Sequence, residues 1–199
     1  MILSDRDILR SIRLGQNGMG DGIRIDPFRP EAVQPASVDL SLGRVYWRFR
    51  KPPLWQRLLR CVPPIDPREG VKPGMRMERF EADEVVLEPF SSVLASVRER
   101  TYVPRNMTAR VEGKSSLGRI LLIVHTTAGF IDAGNDLNIT LEIVNLNRHW
   151  PIRIYKGQWI SQLAYELMTS EAEKPYAGRY KGDDEAAPSR INLNPGVGE

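Results

Sequence analysis

The chain has 199 residues and a net charge of +3; 41% of its residues are hydrophobic and 27% are charged. This length favours one domain that buries roughly 70% of its unfolded surface, so no metal or disulfide is needed to hold its core. The charge gives no independent case for nucleic acid binding, and the single cysteine, Cys61, excludes an intramolecular disulfide. The charged amino terminus does not resemble a signal peptide, and no apolar run approaches membrane-spanning length. These features predict a cytoplasmic protein with no nucleic acid polymer and no membrane as partner.

A short amino-terminal helix is predicted from "SDRDILRSIRLG". Ser4 is its expected cap, Asp7 completes the spacing of a capping box, and Gly15 is expected to end it. The apolar residues between them recur at helical spacing, so one face of this helix should be buried.

Strand patterns dominate the rest of the chain. In "QPASVDLSLGRVYWRF" the residues Val38, Leu40 and Leu42 alternate with polar neighbours, as in a half-buried strand. From residue 84 onward short strand-like runs recur between turn residues, and no comparable helical pattern follows residue 60. These runs are "EVVLEP", "SVLASV", "MTARVEG", "ILLIVHT", "NITLEIVNL", "PIRIYK" and "QWISQLAYELM". The sequence therefore predicts a mainly β fold with a short amino-terminal helix.

The sequence predicts a single domain of residues 1–199 with two segments that depart from the strand pattern, an insertion and a carboxy-terminal tail. Proline pairs bracket "LWQRLLRCV", an insertion at about residues 50–64 whose leucines could form a small amphipathic helix beside two arginines. Such a helix can lie on a membrane or dock a partner, but its shortness favours packing on its own domain. The tail from about residue 179 is rich in Gly, Pro, Asp and Asn, and we expect it to be mobile until something binds it.

The inventory of reactive side chains argues against zinc and cysteine chemistry. One cysteine and two histidines, His125 and His149, cannot build the His/Cys/Cys site of zinc deaminases. The position of His125 after "ILLIV" predicts a hydrogen-bonded structural histidine, and His149 is expected to be solvated. Cys61 has no histidine close to it in sequence, so a cysteine nucleophile is not indicated.

The stretch "GKSSLGR", Gly113 to Arg119, has the composition of a phosphate-binding loop. It is not a P-loop, because that motif requires a glycine where this chain has Thr108. A polar turn between strands is an equally good interpretation of these seven residues alone.

Glu142 is the most informative carboxylate of the chain. It lies within the otherwise apolar run "NITLEIVNL" and shares one face of the predicted strand with Thr140 and Val144. It is either exposed on that face or paired and able to act as a general base, and the residues alone leave both open. Asp132, in "GFIDAG", is a turn aspartate of the kind that is usually structural.

Taken together, "EGKSSLGR", "HTTAGFIDAG", "NITLEIVN" and "KGQWISQL" resemble the dCTP deaminase family, relatives of the trimeric dUTPases. The segments "LSDRDIL", "IDPFRPEAVQPASVDLSLG" and "APSR" agree with the same family, so the resemblance covers residues 1–49 and 84–192. It implies a distorted dUTPase-like β-barrel and a homotrimer that binds nucleotide between subunits. The implied activity is hydrolytic deamination of dCTP to dUTP and ammonia without zinc.

The resemblance also implies roles for individual residues. Glu142 would be the general acid/base, with the Ser115 hydroxyl positioning water and the Arg119 guanidinium keeping the carboxylate ionised. Magnesium would arrive with the triphosphate, held mainly by phosphate oxygens and water. The remaining nucleotide contacts would be Lys114 and Ser116 at the phosphates, Asp132 at the deoxyribose, Thr140 and Leu141 at the base through backbone groups, and Gln162, Tyr176, Arg179 and Tyr180.

The small pair Ala128 and Gly129, with Lys114, is similar to members that continue to dUMP and diphosphate and so supply dUMP for thymidylate synthesis. In that step Asp132 would organise the hydrolytic water. The chain departs from the family pattern at Asn135–Asn138 and at Asp183, which stands where the family has glutamine. These departures leave two alternatives open: a dUTPase or deaminase of a modified deoxycytidine nucleotide, and a non-catalytic nucleotide-binding regulator.

Overall fold

The computed structural model describes residues 1–66, 76–125 and 127–191. Within them lie three α-helices, α1 Asp5–Gln16, α2 Leu54–Leu58 and α3 Ser115–Gly118. The strands there are β1 Arg24–Asp26, β2 Val33–Gln34, β3 Ser37–Phe49, β4 Met77–Glu81, β5 Glu84–Leu87, β6 Ser92–Tyr102, β7 Met107–Gly113, β8 Leu122–Val124, β9 Phe130–Ile131, β10 Asp136–Asn145, β11 Ile152–Tyr155 and β12 Trp159–Leu167. The prediction of a mainly β fold with a short amino-terminal helix is confirmed.

Ten strands form one antiparallel sheet, whose main path is β8-β10-β6-β3-β12-β7-β9, and β5 pairs with β11 in a small second sheet. The two ends of the main path, β8 and β9, are neighbours in sequence. Only the residues between Val124 and Phe130 join them, which can span at most about 22 Å. A flat path of seven strands would be about 29 Å wide, so the sheet must curl towards closure. Irregular registers between β3 and β6 and between β10 and β6 accommodate this curvature.

The first half of β3 is buried throughout rather than half-buried, which corrects the prediction from its alternating pattern there. Residues Ser37 to Leu42 are all buried, because β6 and β12 flank them on either side. The polar residues that were expected to face solvent have side-chain partners within the protein instead. The Ser41 hydroxyl donates to Glu99 at 2.7 Å, and Asp39 accepts from Lys114.

The amino-terminal helix forms as predicted, but its ends differ from expectation. The Ser4 hydroxyl bonds the Asp7 carboxylate at 3.1 Å and makes no side-chain bond to the backbone, so the predicted capping box is wrong. The helix continues past Gly15 to Gln16. Gly15 is required by packing, because an added Cβ there would lie 2.5 Å from the Ile23 carbonyl oxygen.

The expectation that the 50–64 segment packs on its own domain is wrong for α2, none of whose residues is buried. The segment leaves the sheet after Phe49, the last residue of β3 that pairs with β4. Among the described helices, none is long and apolar enough to cross a membrane.

The described part of the tail, from residue 179 to 191, contacts the body of the domain. The Trp47 indole donates to the Ala186 carbonyl at 2.7 Å, and Arg79 pairs with Glu185 at 2.7 Å. The tail therefore has a defined docking position along β3 and β4, and its mobility before ligand binding stays a prediction.

Candidate active site

Two cavities lie on either side of the connection between β8 and β9. One, of about 570 Å³, is lined by Lys114 and Ser115 of the "GKSSLGR" stretch. The other, of about 480 Å³, is lined by Glu142. His125 and Ala128 line both cavities, so this connection is the wall between them. Within one chain, Lys114 and Ser115 therefore face a different cavity from Glu142.

Glu142 forms an ion pair with His125. Its carboxylate oxygen Oε2 lies 2.7 Å from the imidazole Nδ1, and the side chains are 47% and 6% exposed, respectively. The backbone N–H of His125 also donates to the Glu142 carbonyl at 2.9 Å. These contacts hold His125 in a left-handed conformation, φ +52°, which a residue with a Cβ adopts at a cost.

The second ring nitrogen of His125 defines the proton arrangement. Nε2 lies 2.9 Å from the carbonyl oxygen of Ala128, which can only accept, so Nε2 carries a proton. Nδ1 then either carries the second proton opposite an ionised Glu142 or accepts a proton from a neutral Glu142.

The pKa shifts favour the first arrangement. Burial lowers the pKa of His125, but the Glu142 carboxylate and the Ala128 carbonyl raise it further, so the net shift is upward. Burial raises the pKa of Glu142, but His125 lowers it further, so the net shift is downward. Both shifts therefore favour an imidazolium facing a carboxylate. His125 is hydrogen-bonded, as predicted, through Nε2 to the Ala128 carbonyl, and its Nδ1 is ion-paired with the candidate catalytic group.

Gly129 allows the wall to lie close to the sheet. Its carbonyl accepts from the Val111 N–H at 2.7 Å, and an added Cβ would lie 2.7 Å from the Val111 carbonyl oxygen. Since backbone cannot move aside as a flexible side chain can, a larger residue would displace this connection and with it the Ala128 carbonyl that holds His125.

The "GKSSLGR" stretch forms the end of β7 and the single-turn helix α3. Ser115, Ser116 and Arg119 are exposed, and the Arg119 side chain makes no hydrogen bond or ion pair with the described residues. Within one chain Glu142 is thus paired with His125, not with the arginine that the family resemblance assigned to it.

Lys114 is committed to an ion pair that sequence reasoning missed. Its Nζ lies 2.6 and 2.7 Å from the two carboxylate oxygens of Asp39, whose side chain is 6% exposed. An ammonium has three donors, so one remains for a phosphate after these two contacts. The sequence carried a signal for Asp39, a carboxylate in the middle of an apolar strand.

Gln162 belongs to this same neighbourhood, away from the Glu142 cavity. It pairs in register with Asp39 of β3 and Glu112 of β7, and its side-chain oxygen lies 3.4 Å from the Ser37 hydroxyl. Leu141 is fully buried, so only its backbone is available to a ligand.

Four residues predicted as nucleotide contacts line the Glu142 cavity: Thr140, Asp132, Tyr176 and Tyr180. The Tyr176 N–H donates to the Ala133 carbonyl at 2.8 Å, which anchors the tail at the cavity. Arg179 is turned into the tail, where its guanidinium donates to the Arg190 carbonyl at 2.8 Å.

The two departures from the family pattern are bonded to each other. The Asn138 N–H donates to the Asp183 carbonyl at 2.8 Å, and the Gly182 N–H donates to the Asp136 carbonyl at 2.9 Å. The Asp183 carboxylate, which lines the cavity, pairs with Arg190 at 3.2 Å. The carboxylate that stands here in place of the family's glutamine is therefore neutralised by an arginine of the "APSR" segment. Among the described residues, no group of three or more His, Cys, Asp or Glu side chains is placed to hold a metal ion.

The family of this chain follows from a match to the dCTP deaminase-like family model over residues 2–168. The chain belongs to the dCTP deaminase-like family. The resemblance inferred from the motifs is confirmed.

Members of this family with similar sequences are named "dCTP deaminase, dUMP-forming". The protein of that name from Thermobifida fusca is 40% identical over 201 residues, covering 98% of this chain and 94% of the relative. The one from Streptomyces coelicolor is 40% identical over 200 residues, covering 98% and 97%. The similarity to both extends along the whole chain.

The fold is shared with a solved structure, the 2'-deoxycytidine 5'-triphosphate deaminase from Agrobacterium tumefaciens. The TM-score is 0.58 at 23% identity, with 83% of this chain covered. This chain spans about half of that longer chain, 47% of its length. The likeness confirms the β architecture of the dCTP deaminase-like family.

Proposed function

We propose that this protein deaminates dCTP to dUTP and ammonia and continues to dUMP and diphosphate. The observation that carries the proposal is the Glu142–His125 pair at a cavity that two tyrosines and Asp132 also line. Membership of the dCTP deaminase-like family and the names of the relatives support the same substrate.

Glu142 is the group that moves protons in this proposal. Its carboxylate takes a proton from the water that attacks C4 of cytosine and passes it to the departing ammonia. Water supplies the oxygen, the C4–N bond breaks, and no redox partner is needed. His125 orients the carboxylate and keeps it ionised between turnovers.

The site is completed by a second copy of the chain, in a homotrimer. In support, Ser115 and Arg119 are exposed and neither of them lines the Glu142 cavity, so one chain alone does not bring the three together. A rotational assembly would place these residues of one protomer at the Glu142 cavity of the next. Arg119, with its guanidinium free of described partners, would then stabilise charge at the reacting centre.

The triphosphate would lie against Lys114 and Ser116, where the third ammonium donor and an exposed hydroxyl are available. Magnesium would be held by phosphate oxygens and water, because the Asp183 carboxylate is already committed to Arg190. Bound magnesium would neutralise part of the phosphate charge. The small Ala128–Gly129 pair supports continuation to dUMP, with Asp132 organising the hydrolytic water. A cytoplasmic location and independence from zinc are parts of the same proposal.

Incubation with dCTP and magnesium tests the activity, with ammonia, dUTP, dUMP and diphosphate followed in one time course. Equal release of ammonia and dUMP without free dUTP is the expected result. Accumulation of dUTP would restrict the proposal to deamination, and absence of ammonia would refute it. A panel with dUTP and modified deoxycytidine triphosphates separates the alternative substrates.

Complementation between inactive chains tests the shared site. Glu142→Gln and Arg119→Ala are each expected to be inactive alone. When the two chains are co-expressed and mix at random, roughly one quarter of the sites would combine two intact halves. Recovery of about that share of activity is expected, and no recovery despite mixed trimers would place the complete site within one chain.

A further inference from the structure

The α2 segment, defined as residues 50–65, presents apolar side chains that nothing in the described structure covers. Leu54, Trp55, Leu58 and Leu59 are between 58% and 73% exposed. At 100° per residue these four positions fall within an arc of about 140°, and Arg57 lies outside it. The segment is therefore amphipathic, with its apolar side free.

The charge of the same segment is uniformly positive. Arg50, Lys51, Arg57 and Arg60 are its charged residues, and it contains no Asp or Glu. Arg50 is paired with Glu78 at 3.5 Å, but the other three cations have no carboxylate partner among the described residues. An occupant of this surface must therefore supply both negative charge and an apolar interior.

We propose that the α2 segment binds the surface of an anionic phospholipid bilayer. Leucine and tryptophan side chains enter the boundary between headgroups and acyl chains, and flanking arginines extend to the phosphates. This proposal is independent of the catalytic activity and differs from the expectation, made from the sequence, that the protein has no membrane partner.

Two features favour a bilayer over a protein. A standard protein interface needs about 800 Å² per partner, whereas a helix as short as α2, none of whose residues is buried, offers no shaped groove. A symmetric contact with a second copy would bring two sets of unpaired cations together. A bilayer requires no matching shape, and the negative cytoplasmic leaflet attracts basic segments.

The test is co-sedimentation of the full-length protein with vesicles of phosphatidylcholine alone or with about 30% phosphatidylglycerol. At low salt, partition into the anionic vesicles is expected to be at least about tenfold stronger than partition into vesicles of phosphatidylcholine alone. It should fall as the salt concentration is raised. Arg57→Gln with Arg60→Gln, or Trp55→Ser with Leu58→Ser, should each weaken it about tenfold or more. The control variant, Arg6→Gln with Arg10→Gln on the exposed face of α1, changes the net charge by the same amount as the arginine variant of the segment. It should leave vesicle binding unchanged.

Ammonia release from dCTP, or the melting temperature if no activity is found, reports whether the variants are folded. Equal partition into neutral and anionic vesicles, or equal loss in the α1 control, would overturn the proposal. The proposal would also be overturned if the segment variants changed the mass of the oligomer in light scattering while vesicle binding was absent or unchanged. That result would assign the surface to a second copy of the chain.

Discussion

The imidazole Nδ1 of His125 lies 2.7 Å from Oε2 of Glu142, so the candidate catalytic base is held by a cation from its own chain. A general base that is ion-paired is ionised but weakly basic, because the neighbouring charge stabilises its anion. The protonation state of His125 therefore controls how readily Glu142 accepts a proton.

Replacing Glu142 by glutamine should lower the rate of ammonia release by about 10²–10⁴-fold, because an amide cannot accept the proton from water. Nucleotide affinity and oligomer mass should be nearly unchanged, since the glutamine has the same shape. Glu88→Gln, at an exposed site away from the cavities, is the matched control. Turnover by the Glu142 variant at the parent rate would remove Glu142 from the mechanism.

The pH dependence of kcat/KM should reflect His125. Its pKa is raised above its ordinary value of 6.5, so loss of its proton frees Glu142 and raises kcat/KM as pH increases through that raised pKa. His125→Gln should abolish this rise. An unchanged profile in that variant would show that another group titrates.

The same pair should stabilise the fold within a defined pH window. The raised pKa of His125 contributes stability that is present below pH 6.5 and lost as pH rises through the raised pKa. The lowered pKa of Glu142 contributes stability that is present above pH 4.5 and lost on acidification through the lowered pKa. Since Glu142 is half exposed, we expect Glu142→Gln to lower the melting temperature by only about 2–4 °C at pH 5.5 and less at pH 9. A difference that grows at alkaline pH would contradict this assignment.

The Lys114–Asp39 pair should show strong coupling. Lys114→Gln leaves a buried carboxylate without its cation and should lower the melting temperature by roughly 5–10 °C. Adding Asp39→Asn should restore most of the loss, because the uncompensated charge is removed. If Lys114 also contacts phosphate, the double variant will be stable yet will bind dCTP weakly. Simple additivity of the two substitutions would show that the pair is not energetically coupled.

Gly129→Ala should destabilise the wall between the cavities. The added Cβ would lie 2.7 Å from the Val111 carbonyl oxygen, and such overpacking costs about 1–3 kcal/mol, or a few degrees in melting temperature. The rate should fall as well, because the Ala128 carbonyl that holds His125 moves. Gly20→Ala, where nothing lies within 4 Å, should leave both unchanged. Equal behaviour of the two variants would show that the wall tolerates the methyl group.

Local patterns in the sequence were sufficient for several features. Apolar spacing identified α1 and most strands, and the ordered motifs around Gly113, Asp132 and Glu142 identified the family. These features depend on neighbouring residues, whose periodicity and turn chemistry act within a few positions of the chain.

The tertiary structure decided the partners. His125 meets Glu142 because β8 pairs with β10, and Lys114 meets Asp39 because β12 brings β7 beside β3. Asp183 is neutralised by Arg190 because the tail folds back on itself. The first two pairings depend on which strands lie side by side and the third on the path of the tail, because charge and burial act through distance in space. The sequence determined which residues are candidates for the chemistry, and only the folded chain decided which charge each of them faces.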